Sequence, residues 1–337
     1  MDKKATSFLL LGLVIGIVLT AGVFSLIIGG NGQAGGQKTV LKLAHVLPAT
    51  APVHLAMEYM AELAAEKSGG LVEIQVFPNG QLGSETETIE QMQRGALAMV
   101  KASTAPMEGF IPEMAVFSVP YLFRDEDHYW KVLDGEIGKG ILVKGAEVGI
   151  RGLCYYDSGA RSFYTVDKPI LSPDDLQGMK IRVMRSKTAM DMIDALGGSP
   201  TPIPFGELYT ALQQGMVDGA ENNPPSMYDT RHWEVAKHYS MDEHARIPDI
   251  VLFSQKIWES LSPQVRLWVQ EAADESVIFQ KQIWKEYVQE CLANLEKEGV
   301  SIYKPSKEPF QQMAKKMYSN FDGTPVEDLI KQIQELK

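Results

Sequence analysis

The chain has 337 residues, 45% of them hydrophobic and 22% charged, with 32 Lys+Arg against 43 Asp+Glu for a formal charge of −11. That composition excludes a disordered chain, and the acidic balance excludes bulk recognition of nucleic acid, which needs clustered Lys/Arg. Two cysteines, Cys154 and Cys291, exclude a disulfide-rich scaffold and an all-cysteine metal site; no pattern pairs them, so two buried thiols are expected. At roughly 100–200 residues per domain, the length predicts two domains, each with its own core.

Lys3 and Lys4 precede an uncharged run whose apolar core, residues 8–28, reaches membrane-spanning length. The flanking lysines keep its start in the cytoplasm, so export is expected, with the run acting as a signal peptide or an uncleaved inner-membrane anchor. Residues 29–36 are glycine-rich and read as a tether, giving a first segment of 1–37. Gly30, Gly32 and Gly35 spell G-x-G-x-x-G, but no strand precedes them, so the dinucleotide reading is rejected.

The folded part then alternates. Strands are predicted at 40–46, at 71–77 with Val72, Ile74 and Val76 on one face, and at 96–103. Helices are predicted at 54–67 and 85–94, closed by Gly69-Gly70 and Gly95. This series implies an α/β domain with a mainly parallel sheet. The pattern repeats with strands at 151–156, 162–166 and 180–184, and a start at Ser172 for a short helix ended by Gly178. Further helices at 187–196 and 207–214 end at Gly197 and Gly215, a turn follows at Asp218-Gly219, and 250–253 is strand-like. After Ser262-Pro263 no Pro or Gly appears until Gly299, so one helix of about 35 residues and about 50 Å is expected, long enough to brace two domains. Two α/β halves with a cleft describe a ligand-trapping module.

No catalytic constellation is visible. The six histidines form no H-E-x-x-H or zinc spacing, and there is no G-x-S-x-G or Walker A loop. Asp125-Glu126-Asp127 and Asp174-Asp175 sit at predicted helix starts, where carboxylates favour the dipole. No metal, cofactor or catalytic residue is expected. Arg182 lies inside KIRVM, between Ile181 and Val183. It is either a surface charge or a planar fork for a carboxylate or phosphate. Arg161 follows Gly159-Ala160, a place suited to an interdomain crossing, although taken alone an ordinary exposed loop arginine is the favoured reading. Glu221-Asn222-Asn223 precede Pro224-Pro225, near a helix opening at Pro225.

KIRV around Arg182, LQ-x-G-x-VDG-x-EN at 212–222 and the long C-terminal helix together resemble the DctP-type substrate-binding proteins of TRAP (tripartite ATP-independent periplasmic) transporters. The resemblance runs from residue 40 to beyond Gly299. It implies a periplasmic-binding-protein-like α/β fold of two lobes with a central cleft, hinge strands and a long helix spanning both. Lobe I is expected over 38–158 with 248–285 returning to it, and lobe II over 159–247 with part of 286–337. The implied hinges lie at 157–161 and 244–249. The implied role is a periplasmic receptor that closes on an organic acid and delivers it to small and large membrane permease subunits.

Within that resemblance, Arg182 matches the arginine bidentate to the ligand carboxylate, Asn222 a donor to the same group, Arg161 a second pocket arginine and Phe205 the aromatic on the ligand. GLCYYDSGARSFYT, PFGELYTALQQG and AENNPPS are similar to the branch that binds sugar acids, particularly glucuronate and galacturonate. His45, Glu85, Ser103 and Glu207 are the implied hydroxyl partners, although a core histidine, helix-start carboxylates and a turn serine would look the same. Phe205 stands where this branch is expected to carry tryptophan. A C4-dicarboxylate or keto acid is the alternative ligand, opposed by Glu85 and Glu207. A periplasmic sugar-acid hydrolase or lyase using two carboxylates is the alternative class.

Overall fold

The computed structural model describes residues 38–336, so the export segment and tether expected over 1–37 lie outside the described residues. Two sheets organise the chain. The first has strand order β2-β1-β3-β10-β4, from β1 (Thr39–Ala44), β2 (Val72–Phe77), β3 (Met99–Ser103), β4 (Ile150–Tyr156) and β10 (Asp249–Ser254). The second has order β11-β9-β5-β8-β6-β7, from β5 (Arg161–Thr165), β6 (Lys180–Val183), β7 (Ser199–Pro202), β8 (Gly219–Asn222), β9 (His238–Ala245) and β11 (Ser301–Tyr303).

The sheets are mixed rather than mainly parallel. β1 and β3 run parallel, as do β6 with β7 and with β8. However, β10 is antiparallel to both β3 and β4, and β5 is antiparallel to both β8 and β9. The physical reason is connectivity. β5 and β10 each enter from the other sheet through a short link, so neither needs the crossover helix that a parallel partner requires. The chain passes to the second sheet between Tyr156 and Arg161 and returns between Ala245 and Asp249. In the first link Gly159 has φ +62°, and a Cβ there would sit 3.2 Å from Trp284 Nε1. Glycine relieves both constraints.

The expected long helix is present as Pro263–Lys297, 35 residues, opened by the Ser262 hydroxyl accepting from Val265 N. Val269, Ala272, Ala273 and Trp284 bury into the cluster around Leu41, Leu43, Val251 and Phe253 of the first sheet. Leu295 buries with Tyr164, Ala220 and Tyr239 of the second. It therefore packs on both sheets. Among the described residues no helix is long and apolar enough to cross a membrane. Cys154 and Cys291 are free and buried.

Two local expectations change. Gly219 opens strand β8 rather than a turn, because β5 and β6 flank it and supply its ladder. A Cβ at Gly219 would lie 2.6 Å from Tyr164 O, so only glycine permits that approach. The helix after Asn223 starts at Pro224, one residue early, with Asn223 Oδ1 accepting from Ser226 N at 2.8 Å.

Candidate functional site

Strand β6 explains Arg182. Ile181 and Val183 are fully buried in the core, so alternation turns Arg182 to the other face. It aligns with Ala220 on β8, and Asn222, two residues on, shares that face. Arg182 is nonetheless only 2% exposed. Its Nε donates to Ile203 O at 2.8 Å, which fixes the plane of the fork. Its Nη1 is buried with no hydrogen-bond partner among the described residues. The guanidinium carbon lies 5.7 Å from the centre of the Phe205 ring, a favourable cation–π distance. Burial pushes its pKa down, yet an arginine stays charged. Beside it His232, held by Tyr164 Oη at 2.9 Å, is lowered to about 3 by burial and by Arg182, and is neutral.

Arg161 is committed elsewhere. Its Nε donates to Glu221 Oε2 at 2.6 Å, its Nη2 to Glu221 Oε1 at 2.9 Å and Glu221 O at 2.8 Å, and its Nη1 to Asn222 Oδ1 at 2.7 Å. Burial pushes Glu221 up, but Arg161 and His244 outweigh it and hold the carboxyl at about 2. Asn223 N also donates to Asn222 Oδ1 at 2.9 Å. Two donors meeting one amide atom identify it as oxygen, which leaves the Asn222 Nδ2 donors without a protein partner among the described residues.

A cavity between the two sheets is lined by Arg161, Arg182, Phe205 and Asn222 from the second-sheet side, and by Glu85, Lys101, Ser103 and Asp249 from the first. Trp284 of the long helix also lines it. Glu85, the first residue of the helix Glu85–Gln93, accepts from Ser103 N at 3.1 Å through Oε1. Ser103 Oγ accepts from Ala105 N. Six of the eight expected residues thus meet in one cavity.

His45 and Glu207 do not line it. His45 is 2% exposed, and its Nε2 lies 3.0 Å from His54 Nδ1. Leu47 N donates to its Nδ1 at 3.2 Å, so Nε2 carries the proton. Burial, with Lys101 and His54 adding to it, lowers its pKa to about 2. His45 is a satisfied neutral ring behind the cavity wall. Glu207 is exposed and lines an adjoining groove, with Glu87, Glu90 and Arg185, which shares Arg182 and Phe205 with the cavity.

Sequence reasoning passed over Lys101 and Asp249, an ion pair at 2.8 Å with side chains 2% and 7% exposed. The available signal was a lysine within the short strand MVKAS, every residue of which is buried. Glu221 was likewise noted only as a neighbour of Asn222. No group of His, Cys, Asp and Glu among the described residues could hold a metal ion.

The profile of the DctP family, bacterial extracellular solute-binding protein family 7, matches residues 43–324. A TRAP periplasmic solute-binding protein from Bradyrhizobium, solved in complex with α/β-D-galacturonate, is 43% identical with a TM-score of 0.86, covering 88% of this chain and 99% of that one. Another from Roseobacter denitrificans with bound β-D-glucuronate is 39% identical with a TM-score of 0.86, covering 88% and 100%. The C4-dicarboxylate-binding periplasmic protein DctP of Rhodobacter capsulatus is 32% identical over 291 residues, 86% of each chain.

Proposed function

The chain belongs to the DctP family of extracellular solute-binding proteins, and from that membership we propose that it captures a hexuronate, D-glucuronate or D-galacturonate, and hands it to the membrane permease of a TRAP transporter. The family is one of receptors, so the chain is a binding protein and not an enzyme, working outside the cytoplasm. The apolar run at 8–28 serves its export, and membrane fractionation of the expressed full chain reports whether it also stays as an anchor.

The observation that carries the ligand class is the buried Arg182 fork, which has no ion-pair partner among the described residues. A guanidinium held on a strand with its plane fixed matches a carboxylate bidentately. Asn222 Nδ2 donates to the same group, and Phe205 offers an apolar face to the sugar ring. Glu85 and Ser103 face its hydroxyls from the other sheet. Solved relatives at 43% and 39% identity holding galacturonate and glucuronate support this reading.

In this reading the sheets belong to two lobes, 38–158 with 248–285, and 159–247 with part of 286–337. The links after Tyr156 and Ala245 are its hinges. A site assembled from both sides is complete only when the lobes close.

A thermal-shift series with glucuronate, galacturonate and succinate tests the proposal. A ligand bound by the native state alone raises the melting temperature by mass action. Both uronates should raise it. A rise with succinate alone would transfer the protein to the dicarboxylate reading.

A further inference from the structure

We propose that the buried Lys101–Asp249 pair is a neutral, hydroxyl-reading subsite of the cavity, and that Asp249 is the residue restricting the receptor to ligands with a single carboxylate. This rests on the sugar-acid reading above and deepens it.

The pair is built into the sheet. Asp249 aligns with Ser103 and Lys101 with Val251 across the antiparallel β3–β10 ladder. Lys101 and Asp249 are therefore diagonal neighbours on one face, within reach of a long side chain. Both line the cavity. The Lys101 ammonium has three N–H donors. Beyond Asp249 Oδ2 at 2.8 Å, none of them has another partner among the described residues. Asp249 likewise keeps acceptor capacity. A donor and an acceptor fixed side by side suit a sugar hydroxyl, which gives one hydrogen bond and accepts another.

The charges around the cavity decide the rest. The cations lining it are Lys101, Arg161 and Arg182, and the anions are Glu85, Asp229 and Asp249. Glu221 behind the wall cancels Arg161, and Asp249 cancels Lys101. Among the described residues lining the cavity, Arg182 alone remains to take a carboxylate. A second carboxylate reaching the first-sheet side would meet Glu85 together with a lysine already neutralised. Such like-charge opposition is how a site rejects a wrong ligand. Burial also works against the Asp249 carboxylate, raising it to about 6 even though Lys101 lowers it. A carboxylate kept at such a cost inside a cavity has the profile of a functional group.

Calorimetry on Asp249→Asn, Lys101→Met and the double variant K101M/D249L, against glucuronate, succinate and cyclohexanecarboxylate, tests this. Asp249→Asn should weaken glucuronate at least tenfold and improve succinate at least tenfold, because Lys101 is then free to take a second carboxylate. Lys101→Met should weaken glucuronate without any gain for succinate. Replacing both partners by apolar groups spares the fold from an uncompensated buried charge. K101M/D249L should therefore still fold, judged by circular dichroism, and should narrow the gap between glucuronate and cyclohexanecarboxylate. The inference is overturned if Asp249→Asn leaves the glucuronate-to-succinate preference unchanged or, should that variant not fold, if K101M/D249L keeps the full gap. Failure of the wild type to bind either uronate instead overturns the sugar-acid reading itself.

Discussion

Arg161 and Glu221 form a two-point ion pair, Nε to Oε2 at 2.6 Å and Nη2 to Oε1 at 2.9 Å, with side chains only 3% and 2% exposed. Their charges cancel in place, so the second pocket arginine acts chiefly as a scaffold. It holds Asn222 Oδ1 and thereby turns the Asn222 amide donors outward. In the proposed function, carboxylate capture falls to Arg182.

Arg182→Ala should weaken uronate binding by two orders of magnitude or more. Charge-assisted hydrogen bonds are worth roughly 1.5–3 kcal/mol each, and every 1.4 kcal/mol is about tenfold. Arg182→Lys should stay substantially impaired, since an ammonium lacks the planar fork. Asn222→Ala should cost less, being the loss of a neutral donor. Titration calorimetry with glucuronate and galacturonate decides it, and wild-type affinity in Arg182→Ala would refute the site.

Removing one partner of the buried pair strands the other. Glu221→Gln should lower the unfolding free energy by about 3–5 kcal/mol, the cost of an uncompensated buried charge. Urea unfolding at neutral pH measures this. A loss below about 1 kcal/mol would mean that the Arg161 charge is solvated in some other way.

Stability should also fall in mild base. His244 is fully buried, with Nδ1 2.9 Å from Asp242 Oδ2 and Nε2 3.4 Å from Glu221 Oε2. Burial lowers its pKa, but Asp242 and Glu221 raise it more, to about 9 from 6.5. The folded chain thus holds this proton more tightly than the unfolded chain. The contribution is whole below pH 6.5 and is lost as the pH rises through about 9. Urea midpoints should decline across that interval, and His244→Gln should flatten the decline. Equal slopes in both proteins would remove His244 from the account.

Ligand should also compact the protein. Small-angle scattering with saturating glucuronate should give a smaller radius of gyration than the free protein, since the site draws residues from both sheets. Superimposable curves would argue for a preformed, rigid site.

Much of the fold was legible because each sheet is fed by strongly patterned segments. The VEIQVF alternation, the glycine stops and the uninterrupted run after Pro263 all correspond to observed elements. Strands β8 (GAEN) and β9 (HYSMDEHA) were not, because their residues are polar and their strand character comes from neighbours in the sheet. Arg182 could be singled out since a charge between two core residues is conspicuous. Asp249 could not, because its meaning depends on Lys101, 148 positions away in sequence and adjacent only across β3 and β10. His45 shows the reverse case. Its sequence position resembles a site, but its hydrogen bonds are satisfied by His54 and Leu47.

The two sealed cysteines set the redox character of the molecule. Cys154 is 5% exposed on β4 and Cys291 fully buried on the long helix. Burial raises both thiols, Cys291 to about 12, so neither offers a thiolate at neutral pH. A receptor working outside the cytoplasm ordinarily meets oxidants, and here they find no accessible cysteine thiolate to attack. Its maturation needs no thiol oxidase or isomerase, and reducing agents leave its native state as they found it.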